Sequence, residues 1–126
     1  MFHSNTERLI DYWRTLRGDL ALPARSSVDP TDFVAMAPRT FIIARDDGGE
    51  FAFRLAGEQL IDLHDQPLHG EPLQKVWRQV HRRRLSSLLE AALAAGEPLV
   101  ISAEAWSADA AHLRLEICLL YTSRCV

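Results

Sequence analysis

The chain has only two cysteines, Cys118 and Cys125, among its 126 residues. Two late thiols make neither a disulfide framework nor a metal-ligand spacing, and Cys118 reads as a small strand residue. No apolar run approaches the roughly 20 residues that cross a bilayer, and the N-terminal residues Met1 to Glu7 lack the basic and apolar regions of a secretory signal. A cytoplasmic location without a membrane partner is expected. Excess positive charge is also missing: the net charge of -3 gives no general attraction to nucleic acid, so none is expected as a partner.

The usual catalytic patterns are absent as well. Gly48-Gly49 joins two strands and does not open a helix, so it is not a phosphate loop. No nucleophile elbow occurs, and Ser86-Ser87 read as the outer side of a helix. Asp46-Asp47 belong to a turn, while Asp62 and Asp65 read as capping or solvated carboxylates. Of His3, His64, His69, His81 and His112, only His64 and His69 are close in sequence, and Pro67 lies between them, a poor metal spacing. No internal repeat and no low-complexity segment is present. The expectation is a non-enzymatic chain without a metal site.

What is present is the composition of an ordinary globular protein, 48% hydrophobic and 25% charged, with length for one modest core. Ser4-Asn5-Thr6-Glu7 has the form of a capping box, and Leu9, Tyr12, Trp13 and Leu16 follow at helical spacing until Gly18. Leu20 to Pro38 reads as a loop with one short helical turn opened by Asp29-Pro30. Phe41 to Ala44 and Phe51 to Ala56 form a hairpin around Asp46-Asp47-Gly48-Gly49, with Phe51, Phe53 and Leu55 on one face. A long helix begins near Trp77 and closes at Gly96-Glu97-Pro98. Its apolar side is read as Trp77, Val80, His81, Arg84 or Leu85, Leu88, Ala92 and Ala95. Leu99 to Trp106 and His112 to Leu120 are two more strands around a turn at Ser107 to Ala111, with Leu113, Leu115, Ile117 and Leu119 on one face. Hairpins grouped with helices, without regular strand-helix alternation, predict an α+β fold: an antiparallel sheet with helices on one face.

The ordered set Tyr12-Trp13, Leu16-Arg17, Pro23-Ala24-Arg25, Val28-Asp29-Pro30, Pro38, Phe53-Arg54-Leu55-Ala56-Gly57, Leu68-His69-Gly70, Pro72-Leu73, Trp77, Leu115-Glu116 and Leu119-Leu120 resembles a compact bacterial family of PAS-type sensory domains, PAS_5. The resemblance implies a five-stranded antiparallel sheet and a sensory or regulatory role. It divides the single domain 1–126 into an N-terminal helix (1–20), a PAS core (39–120) and a tail (121–126). Where the family has an aromatic residue and glycine, this chain has His64-Asp65. The family continues past Leu119-Leu120 into a last strand lying between the first and fourth, whereas Tyr121 to Val126 carries no strand pattern and reads as a truncated end. The expectation is a sheet missing its final central strand, less stable and more prone to pair with another chain.

The expected ligand pocket is apolar, lined by Phe41, Phe53, Leu55, Leu60, Leu63, Trp77 and Leu115. Arg78, Arg82, Arg83 and Arg84 form a basic cluster for which a solvated helix face is the favoured account, as water exposure is for Arg54 on the second strand; the alternative for both is contact to an anionic ligand or acidic partner. Haem would require a proximal histidine such as His81, for which a core or partly exposed role is the favoured account. A flavin photosensor of this family would carry an asparagine-cysteine-arginine run where Gly57-Glu58-Gln59-Leu60 stands. Neither cofactor is expected, and ligand identity stays open. The predicted function is signalling by ligand- or partner-dependent protein interaction, with a second copy docking through the N-terminal helix or a signalling protein as partner. The alternative is a small-molecule carrier or small enzyme using the same cavity.

Overall fold

In the computed structural model, which describes residues 2–106 and 112–122, the first element is helix α1, Ser4–Arg17. Its cap lies one residue before the expected serine. The His3 imidazole Nδ1 accepts the Asn5 N–H at 3.0 Å, and the His3 carbonyl accepts the Glu7 N–H. An acceptor at position 3 satisfies an orphan amide as a hydroxyl would, so Ser4 is already helical. Gly18 ends the helix at φ 53°, with its N–H on the Arg14 carbonyl.

The chain divides into two compact units, Met1–Asp29 with Ser87–Val126 and Pro30–Ser86. In the first, α1 buries Thr6, Ile10 and Trp13, which recur at helical spacing. The Trp13 indole N–H donates to the Tyr121 carbonyl at 2.7 Å, and the Arg17 guanidinium lies over the Trp13 ring at 4.7 Å. A short 3-10 turn, Arg25–Ser27, follows. Strands β3, Leu99–Trp106, and β4, His112–Leu119, pair antiparallel without a register shift, from Leu99 opposite Leu119 to Trp106 opposite His112. Cross-strand partners share a face. Leu99, Ile101, Ala103 and Ala105 therefore lie with Leu119, Ile117, Leu115 and Leu113, as the alternation predicts. The turn expected at Ser107 to Ala111 lies outside the described residues.

The second unit opens with a 3-10 stretch, Pro30–Arg39, broken at Phe33. Strands β1, Phe41–Arg45, and β2, Phe51–Ala56, pair antiparallel around a turn in which the Asp46 carboxylate accepts the Gly48 and Glu50 N–H groups, each at 2.9 Å. Ile42 pairs with Leu55 but Ile43 pairs with Phe53, so Arg54 is the extra residue of a β-bulge. The bulge breaks the expected alternation. Because Ile42 and Ile43 face opposite sides of β1, Phe53 and Leu55 do too, and Leu55 is 55% exposed where Phe53 is 5%. Helix α2, Glu58–His64, follows Gly57, whose closeness to the 3-10 stretch leaves no room for a side chain: a Cβ there would lie 2.4 Å from the Ala37 and Pro38 carbonyl oxygens.

Asp65 takes the left-handed position that ends α2, at φ 51°, where glycine usually stands. At the His64-Asp65 departure an aspartate thus makes the left-handed turn. Gly70 to Pro72 then pairs with the outer edge of β2. The Phe53 N–H donates to the Glu71 carbonyl at 2.9 Å, the Gly70 N–H donates to the Phe53 carbonyl at 2.8 Å, and Ala52 bridges Pro72. A 3-10 turn, Leu73–Val76, leads to extended Trp77.

Helix α3, Gln79–Ala95, starts after Trp77, later than expected, and its buried side is rotated from the predicted one. Leu85 and Leu89 are buried and Ala92 and Leu93 half-buried, while His81 and Arg84 are exposed and Val80 is 79% exposed. Taking Trp77 as the first residue of the periodic pattern set the wrong phase. Gly96 closes the helix at φ 67° as expected.

The fold class is α+β, with antiparallel pairing held in two two-stranded sheets, β1-β2 and β3-β4. Among the described residues no strand joins them into a five-stranded sheet. No helix among these residues is long and apolar enough to cross a membrane.

Candidate functional site

The β1-β2 hairpin and the segment after α2 build the best-defined apolar centre of the second unit. Phe41 and Phe53 lie on the same face of the hairpin and meet edge to face, with ring centroids 5.9 Å apart and planes at 69°. Such a pair contributes about 0.5–1.5 kcal/mol beyond area burial. The Phe53 backbone is held by the Gly70 to Pro72 segment on one side, and Phe53 is in register with Ile43 on the other. Leu68 and Leu73, which flank that segment, are among the most buried side chains. They belong to the pattern that carried the family resemblance yet were missing from the predicted pocket; the signal was their placement around Gly70-Glu71-Pro72, which an edge-pairing segment requires.

Of the predicted lining, Phe41, Leu60, Leu63 and Trp77 are half-buried and Phe53 buried, all in this unit. Leu55 is turned away by the bulge and leaves the set. Leu115 is half-buried on β4 of the other unit. An open groove of about 470 Å³ runs along α2, lined by Ile61, Asp62, Asp65, Gln66 and Pro67. Its two carboxylates disfavour an anion there. Half-buried His64 has its pKa lowered by burial, which favours the neutral imidazole.

The arginines separate into two kinds. Arg54 at the bulge, Arg78, Arg83 and Arg84 are exposed. Arg82 is half-buried and its Nε donates to the Trp77 carbonyl at 3.1 Å, so it helps hold the entry to α3 and is not a free contact. Ser86, read as outward, is also half-buried and accepts from the Gln74 amide.

In the first unit, Glu116 accepts the His3 N–H at 2.7 Å. Its pKa is lowered by the Thr6 side-chain hydrogen bond first and by that His3 bond next. Burial pushes the Cys118 thiol up to about 11 and the Tyr121 phenol to about 12. A thiol so protonated is a poor nucleophile at neutral pH. Among the described residues, no group of three His, Cys, Asp or Glu could hold a metal ion.

This is an α+β domain of hairpins and packed helices whose described residues bury an apolar core. The PAS domain family profile PAS_5 matches residues 1–123, and the chain belongs to that family, one of sensory and regulatory modules. No curated protein sequence and no solved structure matches the chain.

Proposed function

We propose that the chain is a non-catalytic sensory module that binds a small apolar molecule beside Phe53 and signals by changing its affinity for a protein partner. The observation that carries this reading is the Phe41-Phe53 pair, held by backbone pairing on both edges of β2 and accompanied by half-buried Leu60, Leu63 and Trp77. A ligand that binds one packing state of these side chains better than another shifts the population between them. Exposed Arg54, Arg78 and Arg83 are the side chains offered to an acidic partner surface.

The test is native mass spectrometry of the purified chain, followed by titration of the molecules it retains. The expected result is a retained or added apolar compound whose binding weakens at least about tenfold in Leu63→Asn, the loss of roughly one well-buried apolar contact. Binding unchanged in Leu63→Asn, or no compound bound from a broad apolar set, counts against it.

A further inference from the structure

Two helix ends within the second unit carry charge against their own dipoles. Asp62 lies in the last turn of α2 and Asp65 caps it, at the end where cations are favoured, and α2 holds no lysine or arginine. Arg78 stands immediately before α3, and Arg82, Arg83 and Arg84 follow within its first two turns, toward the end where anions are favoured; no acidic residue occupies the first turn. Each set is unfavourable to its own helix and of the right sign for the other. Among the described residues none of Arg78, Arg83 and Arg84 forms an ion pair with either aspartate.

Apolar surface accompanies the charge in both places. The open groove along α2, about 470 Å³, sets Ile61 and Pro67 beside Asp62, Asp65 and Gln66. On α3, Val80 is 79% exposed and lies three and four residues before exposed Arg83 and Arg84, so one helix face presents an aliphatic side chain with two guanidinium groups beside it. Val80 is also a residue whose spacing reads as core and whose side chain the fold leaves outside.

We propose that the α2 groove of one copy receives the Val80-Arg83-Arg84 face of α3 of a second copy, with Val80 against Ile61 and Pro67 and the guanidinium groups on Asp62 and Asp65. This rests on the reading above that these arginines meet an acidic surface, and it names that surface. A second copy is the occupant because groove and face match in sign, in apolar content and in length, about one helical turn each. Arg82 stays out of the contact, because its Nε is held by the Trp77 carbonyl. Each copy offers both surfaces, so the contact joins unlike patches and either closes a ring or runs on from copy to copy.

The test is sedimentation of the full chain and two variants. Val80→Asp should raise the dissociation constant of self-association about tenfold or more, since it removes the apolar anchor and sets a carboxylate against two others. Aspartate in the first turn suits the helix dipole, so the melting temperature should hold or rise, which separates lost association from lost folding. Asp62→Asn with Asp65→Asn should weaken association about three- to tenfold, the scale of two exposed ion pairs; asparagine also accepts the left-handed position of Asp65. At a concentration where neither variant associates alone, a mixture of the two should form pairs of one each and nothing larger, through the one intact contact they share. A chain that stays monomeric to about 1 mM, association unmoved by Val80→Asp or by the two asparagines, or a mixture that forms no pairs overturns the proposal. A monomeric chain that still binds an apolar compound, more weakly in Leu63→Asn, overturns it alone and leaves the ligand reading standing.

Discussion

The two hairpins hold their registers by different means. β3 and β4 match residue for residue over eight positions, with leucines and isoleucines alternating on one face of β4. β1 and β2 match over shorter strands interrupted at Arg54, and their register is pinned by the Phe41-Phe53 pair, the Asp46 turn and the segment bridging the outer edge of β2. A regular hairpin spreads its stabilisation along many equivalent pairs. A bulged one concentrates it on a few anchors, so single substitutions should separate the two.

The largest effect belongs to the central anchor. Phe53→Ala should destabilise its unit by about 3–5 kcal/mol, the range for emptying a buried aromatic site. Hydrogen exchange checks where the loss falls. The Phe53 and Gly70 amides, which bond across the β2 edge, should lose protection before the β3-β4 amides. Equal loss in both hairpins would break the comparison.

Gly57→Ala comes next, at about 1–3 kcal/mol, because a Cβ there meets two backbone carbonyls that cannot rotate away. Gly48→Ala serves as its control within the same unit. Its Cβ would meet the Asp46 side chain at an ordinary 3.4 Å, so the expected change is within about 0.5 kcal/mol. Similar melting temperatures for the two variants would mean that the approach of Gly57 to the 3-10 stretch carries no stability.

These anchors explain what was legible in the sequence. Strict alternation carries its own register, so β3, β4 and the shared face of Leu113 to Leu119 could be read directly. The turn at Asp46 to Gly49 and the exits at Gly18 and Gly96 could be read because positive φ or a side-chain acceptor is a local demand. The bulge could not, because one unpaired residue is set by the partner strand and not by Phe51 to Ala56 alone. For the same reason Leu55 was placed on the pocket face and Arg54 on the opposite one. The phase of α3 failed differently: Trp77 is apolar and correctly spaced, yet its extended backbone lies outside the helix. Of the candidate site, the aromatic pair was visible as residue types, but the pairing of Gly70 to Pro72 with β2 depends on backbone hydrogen bonds that no periodicity records.

Leu55→Thr sharpens this point at small cost. With the side chain more than half exposed, stability should change by no more than about 0.5 kcal/mol, and binding of an apolar molecule beside Phe53 should be unaffected. A loss comparable to that of Phe53→Ala, measured by denaturant unfolding, would restore Leu55 to the pocket face.

The last effect is felt mainly above pH 9 and concerns the end of β4. Cys118 is held protonated to about 11, mainly by burial and then by the charge of Glu116, against an ordinary value of 9.0. Between those values the unfolded chain loses its thiol proton while the folded chain keeps it, so the stability tied to this group is complete below pH 9 and declines as pH rises toward 11. Tyr121 acts in the same direction between its ordinary 10.0 and about 12. Cys118→Ala should leave unfolding at pH 7 little changed and flatten the decline that begins at pH 9, and it should reduce without abolishing the later contribution of Tyr121, which is shifted by burial first and by the Cys118 charge second. The Tyr121 hydroxyl is buried without a hydrogen-bond partner among the described residues. Tyr121→Phe should therefore be neutral or stabilising by up to about 1 kcal/mol, since removing an unsatisfied polar atom relieves its desolvation cost. Melting curves from pH 7 to 11 for the chain and these two variants check both signs. A Tyr121→Phe variant that melts well below the parent would mean that the hydroxyl has a partner in the folded chain.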